Sequence, residues 1–95
     1  MTQKKELKRK ENHDKLLKAL ATLESIMKIE NMPRNIRNLL KESYNLLKDE
    51  KNGLVSVRAA NAISMLDSIT QNPQMQSHIR TMIWQLVSIL EGIRE

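Results

Sequence analysis

The chain predicts an all-α fold, an antiparallel up-and-down four-helix bundle, and three observations carry that reading. Apolar residues recur at helical spacing in four successive stretches. Both prolines and one of the two glycines fall between those stretches, at Asn31-Met32-Pro33, Asn52-Gly53 and Asn72-Pro73. Phe is absent, and the aromatics are one Trp and one Tyr. The core must then be built from Leu, Ile, Met, Val and Ala, which suits packed helices better than sheets.

The elements follow in order. Residues 1–12 hold one isolated Leu7 among charged and polar groups, and read as a basic flexible tail or a helix extension. Residues 13–95 read as a single four-helix domain. In the first helix Leu16, Leu20, Leu23 and Met27 recur at i, i+4, i+7 and i+11, widened by Leu17 and Ile26. Pro33 suits the first turn of the second helix, where its missing N–H costs nothing. That helix presents Ile36, Leu39, Leu40, Leu46 and Leu47, and Gly53 is placed to end it. The third helix sets Val55, Ala59, Ala62, Leu66 and Ile69 on one face, and its alanines invite a close neighbour. The fourth has the widest apolar face, from Ile79 to Ile93, and should be the most buried. The competing layout is a pair of HEAT-like helical hairpins, but a solenoid needs about three or more repeats plus caps.

Three apolar–arginine pairs mark the rhythm of the chain: Ile36-Arg37, Val57-Arg58 and Ile79-Arg80. A cation in the first turns of a helix opposes the macrodipole, so each placement calls for compensation. In the bundle Arg37 and Arg80 fall near Glu30 or Asp67, and Arg58 near Glu50 or Glu91. Structural ion pairs between helix ends are the expectation for Arg37, Arg58 and Arg80.

The stretches "PRNIR", "VRAANAIS", "NPQMQSHIRTMIW" and "VSILE" resemble the small archaeal family catalogued as uncharacterised protein family 0147. The likeness covers about residues 30–93, and "VRAANAI" followed by "RT-x-IW" is its most specific part. The resemblance implies a small four-helix domain. It brings no activity, cofactor or catalytic residue to carry onto these positions.

The ionisable inventory is poor for catalysis. His13 and His78 lie on different helices, without a carboxylate or second His at i+3 or i+4 in their own helix. Two such residues do not make a metal site, and no cysteine is present to ligate one. "DEKNG" at 49–53 fails as a calcium loop, because Gly53 at position 6 puts Lys48 at position 1 and Ala59 at position 12. Glu24, Glu42, Asp49, Glu50, Asp67 and Glu91 are scattered over polar faces, with no pair arranged for acid–base work. No glycine-rich phosphate loop exists. No enzyme activity and no cofactor are expected.

Two features suit binding. The net charge of +5 gathers near the N-terminus, where Lys4, Lys5, Lys8, Arg9 and Lys10 are placed to meet nucleic-acid phosphates, although no aromatic is interleaved to stack on bases. Trp84 lies far around the fourth helix from its apolar face, flanked by Arg80 and Val87, and these three are the expected interface. The alternative places Trp84 under the first helix or the N-terminal tail of the same chain. Six methionines add an adaptable apolar surface. The functional expectation is a non-catalytic protein-interaction or scaffold module that forms a homodimer in the cytoplasm, its protein partner unknown, with no membrane segment. The alternative is an accessory nucleic-acid-binding protein that uses its basic tail.

Overall fold

Local sequence chemistry sets where each helix stops. A computed structural model describes the backbone of residues 2–94 and the side chains of residues 6–94. Helix α1 spans Thr2–Met27, α2 Arg34–Lys48, α3 Val55–Thr70 and α4 Ser77–Glu91. After α1 the chain turns at Asn31, whose φ of 64° is tolerated by a short polar side chain. Pro33 then stands as the N-cap of α2, one position before the first helical residue.

The second break differs from the sequence reading. Helix α2 ends at Lys48, not at Asn52-Gly53, and one 3-10 turn, Glu50–Asn52, follows. The cause is Asp49, which has left the helical conformation and accepts a hydrogen bond from the Lys51 amide at 2.9 Å. Such a local side-chain bond competes with helix continuation. Gly53, at φ 105°, closes the 3-10 turn instead of capping the helix. Asn72 repeats the device after α3, accepting from the Gln74 amide at 2.9 Å.

The four helices form a closed bundle. Each packs against the next, and α4 packs back against α1, so the hairpin-pair layout does not hold. Across the diagonal α1 and α3 also meet, whereas α2 and α4 do not among the described residues. The small side chains Ala19, Ala59 and Ala62 are all buried on those two helices, which is what lets their backbones approach. Around this seam Leu23, Ile26, Leu40, Leu66, Ile83 and Leu90 are fully buried.

Helix α1 is longer than its neighbours. Its 26 residues span about 39 Å, against about 22–24 Å for the others. Asn12 and Lys15, not the start of α1, meet the end of α4. Residues 2–11 therefore run on as helix past that end of the bundle, consistent with a long axis of 48 Å.

Candidate interaction surface

The arginine rhythm resolves into a system of helix-end clamps. The last carbonyls of a helix lack intrahelical donors, and cations are favoured there by the macrodipole. Arg37 donates from Nη2 to the Ile29 carbonyl at 3.0 Å, just past α1. Arg58 donates from Nη1 to the Leu47 carbonyl at 2.7 Å, in the last turn of α2. Arg80 forks, giving Nε to the Thr70 carbonyl at 2.9 Å and Nη2 to the Asn72 carbonyl at 3.3 Å, at the end of α3. Lys15 completes the set on the Gly92 carbonyl at 2.9 Å, aided by Asn12 on the Arg94 carbonyl at 2.9 Å.

The acceptors of these hydrogen bonds are main-chain oxygens, where the sequence had pointed to carboxylates. Asp67, Glu50 and Glu91 are exposed. A helix end already offers unpaired carbonyls with a partial negative charge, so the arginines need no carboxylate. Arg58 is the buried member, at 6% exposure, and its Nε has no hydrogen-bond partner. Asn12 Oδ1 is also buried without a partner. Sequence reasoning missed Asn12 and Lys15 as clamps. Asn12 lies four residues before Leu16, on the same apolar stripe, and that was the available signal.

Of the three expected interface positions, one is displayed. Val87 is buried in the core, and Arg80 is held against α3. Trp84 is 54% exposed, so it is not covered by α1 in its own chain. It sits one turn after Arg80 on the edge of α4 that turns toward α3. Helix α4 exposes Ser77, Thr81, Trp84 and Ser88, and α3 exposes Val57, Ala60, Ser64 and Asp67 at the same kind of spacing.

The other predicted positions are dispersed. His13 and His78 are exposed on α1 and α4. Among the described residues no group of three His, Cys, Asp or Glu side chains is placed to hold a metal ion. Among the described residues no helix is long and apolar enough to cross a membrane. Lys8 is half-buried and Arg9 and Lys10 are exposed on the overhanging part of α1, while the side chains of Lys4 and Lys5 lie outside the described residues. On the outer side of α1 and α2, half-buried Tyr44 donates to Glu24 Oε1 at 2.5 Å, with Lys48 Nζ 5.6 Å from its ring centroid. That hydrogen bond to Glu24 holds the phenol above its ordinary pKa of 10.0, with desolvation and the carboxylate's charge adding to it.

These features define a small four-helix bundle protein with clamped helix ends and one displayed tryptophan. Comparison with known proteins places it further. The model of an uncharacterised protein family (UPF0147) matches residues 3–93, and the chain belongs to that family. A UPF0147 protein of Desulfurococcus amylolyticus is 42% identical over 85 residues, covering 90% of this chain and 92% of the relative. One from Metallosphaera sedula is 40% identical, covering 90% and 94%. The crystal structure of a protein of unknown function, MMP1188, superposes with a TM-score of 0.81 at 41% identity, covering 87% of this chain and 93% of that one. A family member from Thermoplasma acidophilum shares the fold at 24% identity, with a TM-score of 0.79 over 90% and 99% of the two chains.

Proposed function

We propose that this protein is a non-catalytic protein-interaction module of the cytoplasm, and that the α3–α4 side carrying Trp84 is its contact surface. The observation that carries the reading is the half-exposed Trp84 itself. A large indole left in water on a helix that otherwise buries its apolar groups is favoured where a partner covers it. Its exposed neighbours one turn to either side on α4, Thr81 and Ser88, are small and neutral, which limits the charge a partner must desolvate there.

A photo-cross-linking side chain placed at position 84 in cells tests this. A discrete adduct is expected from position 84 and none from Asn38, an exposed position on α2. No adduct from position 84 sinks the reading.

A second reading rests on the overhang of α1. Its first turn holds no acidic residue, and cations there oppose the helix dipole unless an anion is near. Nucleic-acid phosphates are the partner this arrangement fits. If Lys8, Arg9 and Lys10 engage duplex phosphates, log K falls with log salt at a slope of about −2.7, steepening to about −4.5 if Lys4 and Lys5 join them. A flat salt dependence, or binding unchanged on deleting residues 1–11, removes this reading.

A further inference from the structure

The charge of the molecule is divided between its two halves. Residues 1–52 contain thirteen Lys and Arg against eight Asp and Glu, and residues 53–95 contain three against three. The whole net charge of +5 therefore belongs to the first half, which forms α1 and α2. The second half, which forms α3 and α4, is neutral overall, and its exposed charges among the described residues are Asp67, Glu91 and Arg94. Of its six charged residues, Arg58 is buried and Arg80 is turned onto α3 carbonyls. Asp67 and Glu91 lie toward the ends of their helices, and residues 94 and 95 follow α4.

We infer that the contact surface on α3 and α4 is occupied by a second copy of this chain, related by a two-fold axis, with each Trp84 set over the small side chains Ala60 and Ser64 of the other copy. This rests on the interaction-module reading and names its partner. Three arguments favour a second copy.

The first is electrostatic. Two chains of +5 repel each other, and only a contact through the neutral half keeps the two basic halves apart, on opposite outer sides of the pair.

The second is self-complementarity. A two-fold contact uses one patch twice, so the patch must hold both the side chain that projects and the room to receive it. Here both are present on antiparallel neighbouring helices. Trp84 projects from the middle of α4, and Ala60 and Ser64 leave room in the middle of α3.

The third is area. A stable interface takes about 800 Å² from each partner, about one-eighth of the 6456 Å² surface of this chain. One side of a four-sided bundle supplies that much. Val57 and Leu54, 46% and 62% exposed at the start of α3, extend the apolar part of the same half.

Sedimentation equilibrium of the full chain, with Trp84 emission followed in parallel, tests the assignment. The expected result is a concentration-dependent rise from 11.0 kDa toward twice that mass, with the single Trp shifting to the blue as the pair forms. Trp84→Ser and Ala60→Arg should each weaken the dimer by about thirtyfold or more, as removal or obstruction of a central interface residue does. Asn38→Arg, on the basic half, should leave the dissociation constant within about twofold. Helical circular dichroism at wild-type strength identifies variants that remain folded, and Ala60→Arg keeps a good helix former at an exposed position.

A chain that stays at 11.0 kDa up to millimolar concentration overturns the two-fold pair. So does a dimer that Ala60→Arg and Trp84→Ser leave intact. If the chain is monomeric but position 84 still cross-links to a different protein, the interaction-module reading stands and the second copy falls. If it is monomeric and position 84 cross-links to nothing, both fall.

Discussion

Arg58 and Arg37 occupy the same place in their helices and hold the same kind of group, yet one clamp is interior and the other lies in water. Each is the fourth residue of its helix and donates to a carbonyl at the end of the preceding one. Arg58 is 6% exposed, and its bond to Leu47 closes the α2–α3 end away from solvent. Arg37 is exposed, and water competes for both its guanidinium and the Ile29 carbonyl. The contrast teaches that a repeated residue in a repeated position need not carry a repeated energy. Burial decides it, because an interior acceptor that loses its donor has no solvent to turn to.

Truncating the clamps one at a time measures that difference. Arg58→Ala should cost about 2–3 kcal/mol, since it strands the Leu47 carbonyl and removes packed side-chain volume. The loss is moderated because a cation with an unpartnered buried Nε is removed as well. Arg80→Ala should cost about 1 kcal/mol, because half-buried Arg80 gives up two bonds to partly hydrated carbonyls. Arg37→Ala should cost about 0.5 kcal/mol or less, as exposed polar contacts do. Urea denaturation at constant m reads all three. Equal losses at positions 58 and 37 would break the comparison.

The smallest effect belongs to Tyr44 and Glu24, another solvent-facing link between α1 and α2. The phenol, raised above 10.0 chiefly by its hydrogen bond to Glu24, should titrate at higher pH in the folded chain than in urea. A folded-state pKa above the unfolded one means the link's contribution is complete below pH 10.0 and fades as pH rises through the folded value. Ultraviolet titration of the single tyrosine should show the raised midpoint, and Glu24→Gln should lower it. An unchanged midpoint in that variant would assign the shift to burial instead.

Much of the fold was legible in the spacing of apolar residues, because a buried helix face must repeat near 3.6 residues. Leu16, Leu23, Leu40, Leu66 and Ile83 are core residues on the stripes that predicted them. Ala59 and Ala62 of α3 are buried on the face the pattern assigned to the core. The end of α2 was not legible. Whether Asp49 caps a turn or continues a helix depends on its own rotamer, which composition does not reveal.

The clamps were half legible. Arginine placement showed that helix ends needed holding, but the acceptor is a carbonyl, and every residue carries one. Pairing by side-chain charge therefore pointed to Asp67, Glu50 and Glu91. The candidate surface was legible only in part. Trp84 stood apart on the helical wheel, whereas Val87, three residues on, is rotated toward the core and lies inside it.

The clamps also set an order in time. Three of them join residues 8 to 11 positions apart, so each can form as soon as two neighbouring helices exist. The Lys15–Gly92 and Asn12–Arg94 bonds span 77 and 82 positions, and no shorter stretch of chain can make them. Loop-closure entropy and contact order both favour the short links in the early collapse. During synthesis the first helix then waits with its Leu16–Ile26 stripe only partly covered until the last turn of the fourth arrives. That interval is when the chain is most open to chaperones and to misassociation.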